Sequence, residues 1–139
     1  MFLRQEAIAS LVVESLHRGA ALGHYELACF VVMANHVHVL LLPGISPSRL
    51  MKSLKGYTAR EANRLLGSTG EPFWQRETYD HWVRDEREWK RIAFYIENNP
   101  VKAGLVSRAE EYRWSSRWGQ GSVDTSADAA RTSACATHL

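Results

Sequence analysis

An α+β domain is the fold class this sequence predicts, and three observations lead there. Apolar residues recur at the helical period over two long segments, Arg4 to Leu22 and Pro47 to Leu66. Two short runs rich in β-branched and aromatic residues, YELACFVVM and HVHVLLL, lie between those segments. Glycine, proline and asparagine then punctuate the junctions. The order helix, strand, strand, helix, strand, helix suggests an antiparallel sheet with helices on one face.

The first helix rests on Ala7, Ile8, Leu11, Val12, Ser15 and Leu16, and Gly23 is its stop signal. Tyr25 to Met33 reads as a strand buried on at least one face, Asn35 marks a turn, and His36 to Leu42 returns as a second strand closed by Pro43 and Gly44. The pair should form a hairpin. Ser46 and Ser48 precede the second helix, whose stripe is Leu50, Met51, Leu54, Tyr57, Ala62 and Leu65 before Gly67 and Gly70 end it. Phe73 to Arg84 alternates as a third strand, and Asp85 caps a third helix with an acidic first turn. Pro100 is expected to interrupt that helix, with one further turn ending at Gly104 and the aromatics of Tyr112 to Trp118 covering the core. Residues 1–118 would make one domain. The tail, 119–139, holds Ser, Thr, Ala, Gly and Asp with almost no large apolar residue, and is expected to be disordered.

Composition sets outer bounds on function. At 139 residues and 45% hydrophobic content, one compact core is expected. A net charge of +2 permits nucleic-acid binding without demanding it, so local clustering must decide. Cys29 and Cys135 lie far apart in unlike surroundings, which suits a reducing compartment rather than a disulfide framework. With no leader-like start and no apolar run near the roughly 20 residues a bilayer requires, a soluble cytoplasmic protein without a membrane partner is expected.

His36 and His38 are two apart on a predicted strand, so both imidazoles should leave one face of the sheet, close enough to share a divalent ion. For an isolated pair, hydrogen bonding at a strand end is the better reading. Tyr95 and Asn99 are four apart on the third helix and stack a hydroxyl and an amide on one face. An amide oxygen is a hard ligand suited to Mg²⁺ or Mn²⁺, although a core aromatic and a helix-end Asn before Pro100 account for them singly. The second helix carries Arg49, Lys52, Lys55, Arg60 and Arg64 against Glu61 alone, the densest basic stretch and either a phosphate-binding or a merely solvated face. Tyr57 within it reads as packing or base stacking, and most of the five tryptophans as core. Arg76 and Arg84 would flank a DNA path, and His81 is read as structural or a substrate contact.

Four ordered blocks, ANHVHVLLLP, SLKGYTAREANRLLG, FWQRETYDHWVRDE and YIENNPVKAGLV, change the weight of these features. Together they resemble the IS200-like single-tyrosine (HUH) transposases, most nearly the REP-associated tyrosine transposase branch, over residues 4–118. The resemblance implies that Tyr95 is the nucleophile, that His36, His38 and Asn99 bind Mg²⁺ or Mn²⁺, and that single-stranded or hairpin DNA is cut through a 5′-phosphotyrosine. Asn99, where insertion-sequence relatives usually carry Gln, is what points to the REP-associated branch. Since insertion-sequence relatives act as dimers and the REP-associated branch as monomers, a homodimer stays open. The resemblance also implies a ferredoxin-like βαββαβ core whose first strand lies inside the sheet beside the histidine strand. MFLRQ offers at most a remnant of that strand, so the first strand is expected to be missing or truncated, leaving unpaired backbone beside the histidines. Two alternatives therefore accompany the transposase: an inactive DNA-hairpin-binding relic, and a hydrolytic metallonuclease in which Tyr95 only packs.

Overall fold

A computed structural model describes residues 3, 5–67, 73–74, 79–119 and 135–139. The elements run α1 (Glu6–Ala21), β1 (Tyr25–Val32), β2 (Val37–Pro43), α2 (Pro47–Leu66), β3 (Tyr79–Trp82), α3 (Glu86–Lys102), a 3-10 turn (Ala109–Glu111) and β4 (Cys135–His138). One antiparallel sheet joins the strands in the order β1-β2-β4-β3. The α+β architecture is the expected one, and its helices have the expected caps. Ser46 Oγ accepts the Arg49 N–H at the start of α2, and Asp85 Oδ1 accepts the Glu88 N–H at the start of α3 at 2.9 Å. A side chain of this kind stabilises a helix start by about 1 kcal/mol.

The hairpin forms because its strands alternate between two different cores. Phe30, Val32, Val37, Val39 and Leu41 face a cluster that holds Ile8, Val12 and Leu16 of α1 with Leu50, Met51, Leu54 and Ala62 of α2. Cys29, Val31, Met33 and Leu40 face the other way, against Trp89, Ala93 and Ile96 of α3. The expectation of helices on one face therefore needs correction. α1 and α2 share one face, while α3 covers the opposite one, because β1 and β2 are apolar on both sides and each side requires a cover. Tyr25 ties α1 to β1 by donating its hydroxyl to the Leu16 carbonyl at 2.5 Å, and burial pushes its phenol pKa up to about 12.

The helix α3 runs through Pro100 to Lys102 instead of stopping there. Proline at this position forfeits one hydrogen bond near the helix end, and its ring is buried. Termination comes at Gly104 (φ 77°), whose N–H reaches the Val101 carbonyl while the Leu105 N–H reaches that of Pro100, a left-handed glycine closure. Beyond it, Val32 N–H donates to the Trp114 carbonyl at 2.8 Å and Ser116 N–H to that of Phe30 at 3.1 Å. The aromatic segment thus seals the outer edge of β1 rather than simply roofing the core.

The largest departure lies at the chain's end. The tail was expected to be disordered, yet Cys135–His138 forms β4 between β2 and β3, and the buried Leu139 exchanges backbone hydrogen bonds with Val37 at 2.8 and 3.1 Å. Among the described residues no strand precedes α1, but the unpaired backbone expected beside the histidines is not found: β4 pairs with β2 from His38 to Leu41. Of the tail, 120–134 lies outside the described residues. Of the expected third strand, Phe73 to Arg84, Tyr79–Trp82 forms β3, Phe73, Trp74, Val83 and Arg84 lie outside it, and 75–78 lies outside the described residues. Trp74 instead packs on α2 and donates its indole N–H to Thr58 Oγ1 at 2.7 Å.

Candidate active site

Three rings meet where β2 faces α3. The two-residue loop Ala34–Asn35 closes as Met33 N–H donates to the His36 carbonyl at 2.8 Å, which starts β2 in register. The strand period then puts His36 and His38 on the α3 face, opposite to Val37 and Val39. Their ring centroids are 4.6 Å apart with an interplanar angle of 79°. The Tyr95 ring stands 5.6 Å from that of His38 at 80°. It is carried there by α3, whose Trp89, Ala93 and Ile96 seat the helix on the same face. Tyr95 itself is 49% exposed, open to a large substrate.

Asn99 is half-buried one helical turn beyond Tyr95, about 6 Å further along the axis at 1.5 Å per residue. Two side chains that the sequence did not assign to the site join the cluster. Asn35 Oδ1 lies 2.7 Å from His36 Nδ1, and Lys102 Nζ is 5.9 Å from the centre of the Tyr95 ring. Signals for both were present, since Asn35 adjoins the histidines and Lys102 follows Tyr95 by two helical turns. Among the described residues no three His, Cys, Asp or Glu side chains gather to hold a metal. A metal here would depend on a mixed set, two imidazole nitrogens on one face and an amide oxygen, and the close His36–His38 pair fits such a set.

The basic residues are distributed otherwise. Arg49, Lys52, Arg60 and Arg64 are exposed on α2 and Lys55 is half-buried, with Arg64 Nη2 2.7 Å from Glu61. Because α2 packs on the far side of the sheet, this row does not share a face with His36, His38 and Tyr95. Tyr57 is half-buried beneath the Arg18 guanidinium at 4.3 Å, a packing contact. Arg84 aims Nε and Nη2 at Glu88 Oε2, 3.1 and 2.9 Å away. Arg76 lies outside the described residues.

Glu88 is the hub of a clasp between β3 and α3. It is buried, and accepts from the Arg84 backbone N–H at 3.0 Å and pairs with His81 Nε2 at 2.7 Å. The backbone donor foremost, then His81, hold its carboxyl at about 2 against the opposing effect of burial. His81 is thereby structural. A second buried acid, Glu97, has its pKa raised by burial despite Arg117 at 3.4 Å, and links α3 to the segment after it.

A family model, described as IS200-like transposase, matches residues 2–99, which takes in His36, His38, Tyr95 and, as its last residue, Asn99. The chain belongs to that family. Comparisons with curated proteins and with solved structures gave no match. As a transposase family domain it is a DNA-binding, DNA-cleaving protein. No helix among its described residues is long and apolar enough to cross a membrane.

Proposed function

We propose that this transposase cuts and rejoins single-stranded DNA through Tyr95. The observation that carries the reading is the 5.6 Å approach of the Tyr95 ring to His38, which couples a half-exposed phenol to the histidine pair. In the cutting step the phenol oxygen attacks phosphorus, the Tyr95–phosphate bond forms and the bond to the 3′ oxygen breaks. The phenol proton is lost and the departing oxygen takes one up, leaving a free 3′-OH and a 5′-phosphotyrosine. The covalent ester conserves the bond energy, so rejoining needs no nucleotide. His36, His38 and Asn99 would hold Mg²⁺ or Mn²⁺, which polarises the scissile phosphate and stabilises its developing charge. Asn at 99 further supports the REP-associated branch, with hairpin DNA as substrate.

Geometry favours a folded substrate in a second way. Arg49, Lys52, Lys55, Arg60 and Arg64 lie across the sheet from Tyr95. A hairpin stem with a single-stranded arm can reach round the sheet to touch both faces, whereas a short strand lying on one face cannot. In that arrangement the α2 row binds backbone phosphates, and its contribution weakens as salt rises.

Incubating hairpin oligonucleotides with the protein and Mg²⁺ or Mn²⁺ should give a protein–DNA adduct that survives denaturing electrophoresis. In Tyr95→Phe that adduct should fall below detection while hairpin binding persists. Cleavage retained in Tyr95→Phe would instead identify a hydrolytic metallonuclease. Binding without any adduct in the unaltered protein would identify a hairpin-binding relic.

A further inference from the structure

We propose that Asn35 is a positioning residue that sets the tautomer of His36. Its purpose rests on the metal-dependent reading above, but the spectroscopic test of the tautomer does not. The hairpin loop is only two residues long, and it places the Asn35 amide against the ring that follows it. The Asn35 Oδ1 to His36 Nδ1 distance is 2.7 Å. An amide oxygen has lone pairs and no proton to give, so the nitrogen facing it must be the N–H donor. A neutral imidazole has one proton, and with that proton on Nδ1 the lone pair resides on Nε2. Histidine in water prefers the opposite arrangement, so Asn35 selects the less common tautomer.

The consequence concerns metal capture. A divalent ion takes the lone pair of one ring nitrogen, and the hydrogen bond made by the other decides which nitrogen is offered. Without Asn35, His36 would have to exchange its proton between nitrogens, and turn its ring, before ligating in the same geometry. The bond also polarises the ring toward its ligating nitrogen. His38 stands T-shaped against His36 at 4.6 Å, so a ring rotation at 36 would disturb the pair as a whole.

Asparagine also belongs in turns for its backbone behaviour, and the test must separate that role from this one. In the uniformly ¹⁵N-labelled, metal-free full chain at about pH 8, alkaline enough to favour neutral imidazole, long-range ¹H–¹⁵N spectra should show His36 protonated on Nδ1. Asn35→Ala should move the proton largely to Nε2, and Asn35→Asp, which offers the same acceptor, should retain the original pattern. Mn²⁺ binding followed by electron paramagnetic resonance should weaken roughly tenfold in Asn35→Ala, the low end for loss of an orienting partner, and recover in Asn35→Asp. A His36 protonated on Nε2 in the unaltered protein would overturn the proposal. So would an Asn35→Ala spectrum unchanged at His36, even with altered thermal stability, since that describes a turn residue only. Absence of a DNA adduct would count against Tyr95 chemistry and leave the tautomer result standing.

Discussion

The two halves of the sheet are built by different means. β1 and β2 are eight and seven residues long, adjacent in sequence, and buried against helices on both faces. β3 and β4 are four residues each, and among the described residues β3 pairs with β4 alone. One half is local and thickly covered; the other depends on the end of the chain returning to the middle of the sheet. His38 stands on the boundary, with Val31 as its cross-strand partner on one side and the backbone position of His138 on the other. The histidine face therefore rests on both a short-range and a long-range pairing, and the long-range one should fail first.

Ala136→Pro tests that contrast most severely. Residue 136 pairs with Leu40 on one side and His81 on the other, so a proline there removes a ladder donor inside the sheet and clashes with a central strand. The expected cost is about 3 kcal/mol, as for proline inside regular structure. Hydrogen exchange should show β3, β4 and the β4-facing edge of β2 losing protection, while β1 amides stay protected. An unchanged unfolding curve with all four strands protected would mean that β4 does not hold the sheet together.

The next largest effect is expected at the clasp that fastens β3 to α3. Since the Glu88 carboxyl sits at about 2 in the folded protein and near 4.3 in an unfolded chain, its contribution is fully present above the unfolded value. It is lost as pH falls from there through the folded value. Glu88→Gln should unfold earlier than the unaltered protein in urea at neutral pH, with the gap closing as pH approaches 2. A gap of constant size across that range would show that the ionised carboxylate is not what holds His81 and Arg84.

This contrast also explains what was legible in the sequence. The strands β1 and β2 and the helix α2 could be read closely because period, caps and turn formers all act within a few residues; α2 begins at Pro47 and ends at Leu66 as expected. β4 could not be read, because CATH has no apolar alternation and its partners in β2 lie far away in the chain. The same division runs through the candidate site. That His36 and His38 share a face followed from the period of two. That Tyr95 meets them required α3 to choose that face, a tertiary outcome that turned on β1 and β2 being apolar on both sides. The basic row of α2 was legible as a row, but its position across the sheet was not.

The smallest effect should come from the outer edge of β1, where redundancy protects the local half. Tyr112 donates its hydroxyl to the Val32 carbonyl at 2.6 Å, and Tyr112→Phe deletes that bond alone. A neutral bond of this kind contributes about 1 kcal/mol net, equivalent to roughly 2–6 °C in Tm for a domain of this size. The segment should nevertheless stay in place, because the Val32 N–H still reaches Trp114, Phe30 still bonds Ser116, and Ser115 still bridges to Val31. Amide protection in β1 and the His36–His38 resonances should therefore match those of the unaltered protein. A loss approaching that of Ala136→Pro would place the sheet's weak point at β1, and the contrast between a robust local half and a dependent distant half would fail.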